Sequence, residues 1–482
     1  MNYKIIGYTL GVLLIIESTA MLFGLPFSIY HGDSDVAAIL ISSGITASAG
    51  LLLMLILRRA NRDVGKREAY AIVSMGWIFM SLFGTLPFIL SHTITNFTDA
   101  FFETISGFTT TGASILNDIE SFPHGILFWR SFTQWLGGMG IIVLSIAILP
   151  LIKIGGIQMF SAEVPGPTTD KLSPRIKQTA MRLWLVYLGF TLLEAILLKF
   201  GGMSVFDSIN HAFTTMATGG YSTKQASIAY FDSPYIHYVI IVFMFLAGTN
   251  FALSYFAITG KPAKLFKNEE FIFYIKIVLG TALIIAIGLF WKHGLSAEQS
   301  IRDALFQTVS IVTTTGYATA DYMKWSPEGL WVLILMLMFI GGMAGSTGGS
   351  VKVIRIQMLF RNAYLEFKRL LHPNAVIPVR FNHQAVPAQI VNNILAFVIL
   401  YIMIFMISVV VMSFMGLGFD TAIGAVAASI GNIGPGIGGV GPVENYALIP
   451  AAGKWYLGFL MLIGRLELFT VIIIFSPLYW TK

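Results

Sequence analysis

Long apolar runs recur along the chain, separated by short polar breaks. A run of about 20 apolar residues matches the hydrocarbon thickness of a bilayer. Such runs predict membrane-crossing helices near 5–29, 36–57, 69–91, 126–151, 180–200, 235–259, 270–291, 329–351, 388–415 and 453–478. Between some of them lie shorter, half-polar segments near 98–114, 205–222, 300–318 and 419–436. These are too short to cross a bilayer and too apolar for ordinary exterior loops. They are expected to re-enter the membrane, where irregular backbone is tolerated only if buried in protein or lining water.

The four short segments resemble one another. They read TDAFFETISGFTTTGAS from Thr98, VFDSINHAFTTMATGGYS from Val205, IRDALFQTVSIVTTTGYA from Ile301 and GFDTAIGAVAASIGNIGPG from Gly418. Each starts near an aspartate (Asp99, Asp207, Asp303, Asp420) and reaches a glycine (Gly112, Gly219, Gly316, Gly434) after 13, 12, 13 and 14 residues. At about 1.5 Å per residue, roughly eight or nine of those residues make a helix through half a membrane. The aspartate suits a cap or first-turn anion. The glycine marks a stretch needing unusual backbone angles or close approach. An apolar span precedes and follows each segment, so the unit is span, half-helix, glycine stretch, span, repeated four times. The predicted fold is an all-α polytopic membrane protein, with four pseudo-repeats around one pore and two extra transmembrane helices before them. The expected units are 1–66 for the two N-terminal helices, then repeats at 67–152, 153–262, 263–372 and 373–482.

Composition agrees and excludes other classes. Of 482 residues, 56% are hydrophobic and 11% charged, with mean hydropathy +0.77. A soluble domain carries roughly 25% charged residues, so a soluble enzyme and a disordered chain are both excluded. Long apolar runs, in place of alternating ones, exclude an outer-membrane barrel. No cysteine is present, which removes disulfides, Cys-zinc sites and iron–sulfur clusters. The first run is too long for a signal-peptide core and lacks an A-x-A site, so it is expected to be a retained span.

The net charge of +6 (30 − 24) is unevenly placed. Most Lys and Arg lie at Lys4, 58–67, 153–182, 261–276, 352–380 and Lys482. Basic clusters between spans mark cytoplasmic loops, so both termini are expected inside and nucleic acid is not an expected partner. The stretch Lys352, Arg355, Arg361, Lys368, Arg369 and Arg380 suits anionic lipid or a cytosolic protein.

Four half-helices entering from outside would aim their partially negative C-terminal ends at one axis. The stretches Thr110–Thr111–Gly112, Thr218–Gly219, Thr314–Thr315–Gly316 and Asn432–Ile433–Gly434 would line that axis with carbonyls, assisted by threonine hydroxyls. Uncharged oxygens of this kind replace the water shell of an alkali cation. A divalent-ion pathway would be expected to add carboxylates, and none lies beside these glycines, so a monovalent cation fits better. No G-x-S-x-G with a membrane histidine and no H-E-x-x-H appears, so an enzyme is not expected.

At these residues the chain resembles the TrkH/KtrB/HKT superfamily of potassium transporters. TTTGAS, ATGGYS, TTTGYAT and GNIGPG are similar to its four filter segments. WRSFTQWLGGMGIIVLSIAILPL from Trp129, GGMAGSTGGSVKVIR from Gly341, GRLELFTV from Gly464 and the two leading spans resemble the TrkH branch. The resemblance covers essentially the whole chain. It implies potassium as the transported ligand bound at the filter, a homodimer in the bacterial inner membrane, and a cytosolic ring of TrkA-type subunits. A nucleotide (ATP/ADP or NAD) would bind that partner only, and this chain needs no cofactor; it has no P-loop and no G-x-G-x-x-G after a strand. Only Gly316 of the chosen glycines is followed by tyrosine (Tyr317), and Gly434 is followed by Pro435. Four unequal quarters suggest partial selectivity, and leave sodium- or proton-coupled symport through the same filter as the alternative.

Two features lie off the filter. Gly341–Ser350 reads GGMAGSTGGS inside a predicted span. Each glycine costs a helix close to 1 kcal/mol relative to alanine, so the helix is expected to break. The resemblance makes this stretch (Gly341, Gly342, Gly345, Ser346, Thr347, Gly348, Gly349) an intramembrane gating loop. LGGMG at 136–140 fits tight helix packing better. Arg465 lies deep in the last span, where a cation costs at least about 2.5–3.5 kcal/mol. The resemblance points it into the pathway as an electrostatic barrier, the alternative being an ion pair with a carboxylate, for which Glu467 is badly placed. Glu17 and Glu194 receive no role, and His211 is expected to be a packing group.

Overall fold

The structure, a computed structural model, describes residues 1–59, 65–147, 176–325 and 329–480. The end of the fourth predicted span, the 152/153 boundary, parts of the 58–67 and 153–182 clusters and Lys482 lie outside the described residues.

The apolar runs fold as helices because nothing interrupts them and water is not available to the backbone. They include Tyr3–Met21 continuing into Leu25–His31, then Val36–Ile56, Lys66–Phe83 and His124–Ala147. Ile176–Phe200, Glu269–His293 and Ala388–Phe414 follow. Several carry bare apolar faces, such as Leu279, Leu283 and Ile287, or Ile399, Met403, Met406 and Val410. In water such stripes would be a liability; against lipid they are the required surface.

Three of the ten predicted spans are not continuous. The 235–259 run is two helices, Pro234–Ala247 and Phe251–Ile258, meeting at 109°. The 453–478 run is Ala451–Arg465 and Leu468–Phe475, meeting at 119°. In the 329–351 run a helix spans only Gly329–Leu337, and the next begins at Val353 and reaches Leu371. Each break has a local cause. Asn250 accepts from the backbone N–H groups of Ala252 and Leu253 and so caps a new helix. Glu467 adopts φ +57°, which no helix accommodates. Among the described residues six helices are long and apolar enough to cross alone, and eight if each bent pair counts once.

The half-helices are Phe97–Phe108, Val205–Met216, Ala297–Val312 and Phe419–Gly431, with 12, 12, 16 and 13 residues. They are longer than the sequence suggests, and the aspartates are not their caps. Asn96, Ser204 and Ser296 supply capping oxygens, while Gly418 has no side chain to do so. Asp99, Asp207 and Asp420 are first-turn anions, whereas Asp303 sits a turn further in, with Glu298 in its place.

Candidate functional site

All four half-helices end in the same backbone figure. A residue with positive φ follows each helix, and two positions later a glycine has positive φ. The pairs are Thr110 (51°) and Gly112 (83°), Thr218 (54°) and Gly220 (73°), Thr314 (60°) and Gly316 (82°), and Asn432 (53°) and Gly434 (99°). The glycine of the second segment is therefore Gly220, and Gly219 is the middle residue of its triplet. The aspartate-to-glycine interval becomes 13 in the first three segments, and tyrosine follows the glycine in two of them, as Tyr221 and Tyr317.

The triplets turn back onto the helices that precede them. Thr111, Gly219, Thr315 and Ile433 donate their N–H groups to Ser106, Thr214, Ser310 and Ala428 at 2.8, 2.8, 2.8 and 2.9 Å. This satisfies last-turn carbonyls that a helix end leaves open. The triplets also meet edge to edge. A Cβ on Gly112 would overlap the carbonyl of Gly219, one on Gly220 that of Thr315, and one on Gly316 that of Ile433. On Gly434 it would lie 2.8 Å from the Thr111 oxygen, which closes the circle. The segments thus form one ring in chain order, with no room for side chains at its joints.

In the first two residues of each triplet, the carbonyls accept no hydrogen bond from a described residue, except Gly219, which accepts from Gln134 Nε2 at 2.7 Å. The hydroxyls are less free than the sequence suggests. Thr111 pairs with Thr109 at 2.8 Å and accepts from Asn432 Nδ2 at 2.9 Å. Thr315 pairs with Thr313, Thr218 donates to Ala217, and Thr314 accepts from Gly349 N–H at 2.7 Å. Of the five, Thr110 Oγ1 alone has no partner among the described residues. No acidic side chain belongs to any triplet.

On one side the ring opens into a vestibule whose lining includes Gly112, Gly220, Gly316 and Gly434 together. On the other side lies Gly341–Ser350, unwound as expected. Its backbone groups find partners outside any helix: Gly341 N–H on Val351, Met343 N–H on Gly248, Ala344 N–H on Glu270 Oε1 at 2.8 Å. Gly345 and Ala344 carbonyls accept from Phe251 N–H and Asn250 Nδ2. Ser346 Oγ donates to Met343 within the loop. The loop reaches three half-helix ends: Thr347 Oγ1 donates to Met216, Gly349 N–H to Thr314, and Gly349 also abuts Gly431 and Asn432. Gly342 packs on Gly248, and Gly348 on Thr313.

Arg465 is 3% exposed and completes this layer. It donates to the Thr347 carbonyl at 2.5 Å and the Gly137 carbonyl at 3.4 Å. Gly137 in turn lies directly behind the Phe108 carbonyl of the first half-helix. The carboxylate alternative does not hold among the described residues, since Glu467 pairs with Arg355 at 2.6 Å. Lys352 Nζ donates to the Gly348 carbonyl, tying the loop to the next helix.

Sequence reasoning missed Gly220, Tyr221, Glu103, Arg130 and Gln134. Gln134 holds the second triplet by accepting from Tyr221 N–H at 3.1 Å while donating to Gly219. The available signal was the spacing of Arg130 and Gln134, four apart and so on one face of an otherwise apolar span. His211 is a packing group as expected, with Asp207 O at 2.8 Å and Ser222 Oγ at 2.9 Å on its two nitrogens.

Comparison with known proteins follows the same geometry. The profile of the TrkH family, described as a cation transport protein, matches residues 37–482. The Trk system potassium uptake protein TrkH of Escherichia coli K12 is 40% identical, with 100% of each chain covered. Its counterpart from Halomonas elongata is 37% identical over the same full coverage. The crystal structure of the potassium transporter TrkH from Vibrio parahaemolyticus superposes with a TM-score of 0.92 at 36% identity, covering 100% of both chains.

Proposed function

The chain belongs to the TrkH family of cation transport proteins, a transporter rather than an enzyme, and we propose that it takes potassium into a bacterial cell through the glycine ring. The observation that carries this reading is the ring itself: four triplets in cyclic contact, in whose first two positions every carbonyl but that of Gly219 is without a donor among the described residues. Such oxygens are the chemistry that replaces water around an alkali ion. Its relatives are named as potassium uptake proteins, which supports the cargo. The vestibule faces outward and the loop with Arg465 obstructs the inner side, a fixed cation repelling a passing one. Both termini lie in the cytoplasm, and the chain works as a homodimer in the inner membrane. TrkA-type subunits, carrying the nucleotide, relieve the obstruction by binding the open-loop state more tightly.

The test replaces Gly112, Gly220, Gly316 and Gly434 singly with serine and measures sodium competition against rubidium uptake. Each Cβ would displace a neighbouring carbonyl, so discrimination should fall in the folded variants. Unchanged competition in all four would refute the ring as filter. Uptake in sodium-free medium across a pH series separates this channel-like reading from a coupled symporter.

A further inference from the structure

We propose that Glu103 and Arg130 form a positioning pair that fixes the distance between the first and second quarters of the ring and thereby sets part of its ion discrimination. This rests on the ring being the filter.

The position four residues after each aspartate faces the chain as it leaves the ring, and the brace there differs in every quarter. Glu103 accepts from Ser114 Oγ and from Ile115 N–H, both at 3.0 Å. His211 meets Ser222 Oγ at 2.9 Å, and Gln307 Nε2 reaches the Ala320 carbonyl at 3.4 Å. At Gly424 the exit strand itself, at Ile437, fills the space. Only the first quarter uses a charge.

That charge is answered across the joint. Arg130 Nε lies 2.7 Å from Glu103 Oε1, and both side chains are almost wholly buried. Arg130 Nη1 donates to the Ser222 carbonyl at 2.9 Å, in the exit strand of the second quarter. Its guanidinium stacks 3.6 Å from the centre of the Tyr221 ring, whose hydroxyl donates to the Glu103 carbonyl at 2.7 Å. The result is a closed circuit through one half-helix, the span after it and the strand of the next repeat. Arg130 also lines the vestibule beside Gly112 and Gly220, so the circuit sits at the joint it braces.

Two buried charges carry a desolvation penalty that a neutral hydrogen bond avoids, and the neighbouring quarters manage with neutral braces. What the ion pair adds is direction. A guanidinium has fixed donor vectors and a flat face, so it can hold a carboxylate, a carbonyl and a ring at set distances together. With the carboxylate beside the arginine, the pair as a whole presents no net charge to an arriving cation. Loosening the circuit lets the Gly112–Gly219 joint breathe and admits ions of other size.

The experiment measures rubidium and sodium flux into liposomes containing the full chain, as wild type, Glu103→Gln, Arg130→Lys and Tyr221→Phe. Glu103→Gln keeps shape and removes the charge; Arg130→Lys keeps charge and loses the fork. Each should lower rubidium-over-sodium discrimination about fivefold, the size of one ordinary net hydrogen bond, while rubidium flux stays near wild type. The double variant should lose little more than either single one. A merely structural pair would lower yield or total flux and leave the ratio alone, which overturns the proposal. If the charged-pair variants do not fold, Tyr221→Phe breaks only one bond of the circuit and should still cost about twofold; an unchanged ratio there overturns it too. A wild type without discrimination would instead fail the filter reading, and this proposal with it.

Discussion

The spans that follow the first and third half-helices carry similar glycine-rich sequences and fold differently. LGGMG at 136–140 stays helical within His124–Ala147, while GGMAGSTGGS at 341–350 is unwound. Glycine content alone does not decide between them. In the first, Gly137 and Gly138 let the helix lie against Phe108 and Ala217, the ends of two half-helices, so the missing side chains allow close packing. In the third, the freed N–H and C=O groups are taken by Gly248, Asn250, Phe251, Glu270 and Thr314. A break at membrane depth is stable where such partners exist. The bend at Gly248–Asn250 supplies several of them, so the two interruptions support each other.

The comparison can be broken most severely at Gly137. A valine there would drive Cβ into the Phe108 carbonyl, and backbone cannot yield as a side chain tip can. Gly137→Val is expected to cost about 3 kcal/mol or more, seen as loss of a monodisperse peak or a steep fall in melting temperature in detergent. A normal melting curve would show that the close approach is not needed.

Next in size is the loop. Deleting residues 343–349 removes the contacts to Met216, Thr314 and Arg465 but leaves every residue of the four triplets in place. Flux through liposomes holding this chain alone should rise severalfold, with rubidium-over-sodium preference nearly intact. If the deleted protein folds and conducts no faster, the loop is packing material.

The smallest effect is expected at Gly140, in the same helix as Gly137. Among the described residues its added Cβ would touch only the Trp77 ring, at 3.6 Å. Gly140→Ala should leave flux unchanged and stabilise the helix by about 0.5–1 kcal/mol, measurable as a small rise in melting temperature. A loss would mean that this face too is closely packed.

Spans and half-helices were legible in the sequence because hydrophobic runs and repeated glycines are local signals. The break at 341–350 was legible for the same reason, with five glycines in ten residues. The bend at Gly248–Asn250 was not, since LAGTNFAL holds one glycine in an apolar run and its cap is one asparagine side chain. The second ring glycine was misplaced by one because Gly219 and Gly220 are adjacent. Only backbone angles separate them: Gly220 takes φ +73°, and Gly219 does not join the positive-φ group. Glu103 and Arg130 are 27 residues apart, and Arg130 and Ser222 are 92 apart. No period in the sequence links such positions.

The closing joint of the ring has a consequence for biosynthesis. Three joins run between neighbours in the chain, but the fourth unites its far ends. Asn432 reaches Thr111 across 321 positions, and Lys454 reaches Asp99 across 355, at 2.6 Å. A ribosome adding about 5–20 residues per second needs tens of seconds to cover that distance. Throughout that interval the nascent chain holds at most three quarters of a ring, with one flank of the first half-helix unmatched and its aspartate without the lysine. An open arc encloses nothing, so no ring exists until the fourth triplet has been made. The last hundred residues then do two things at once: they finish the fold and they close the ring.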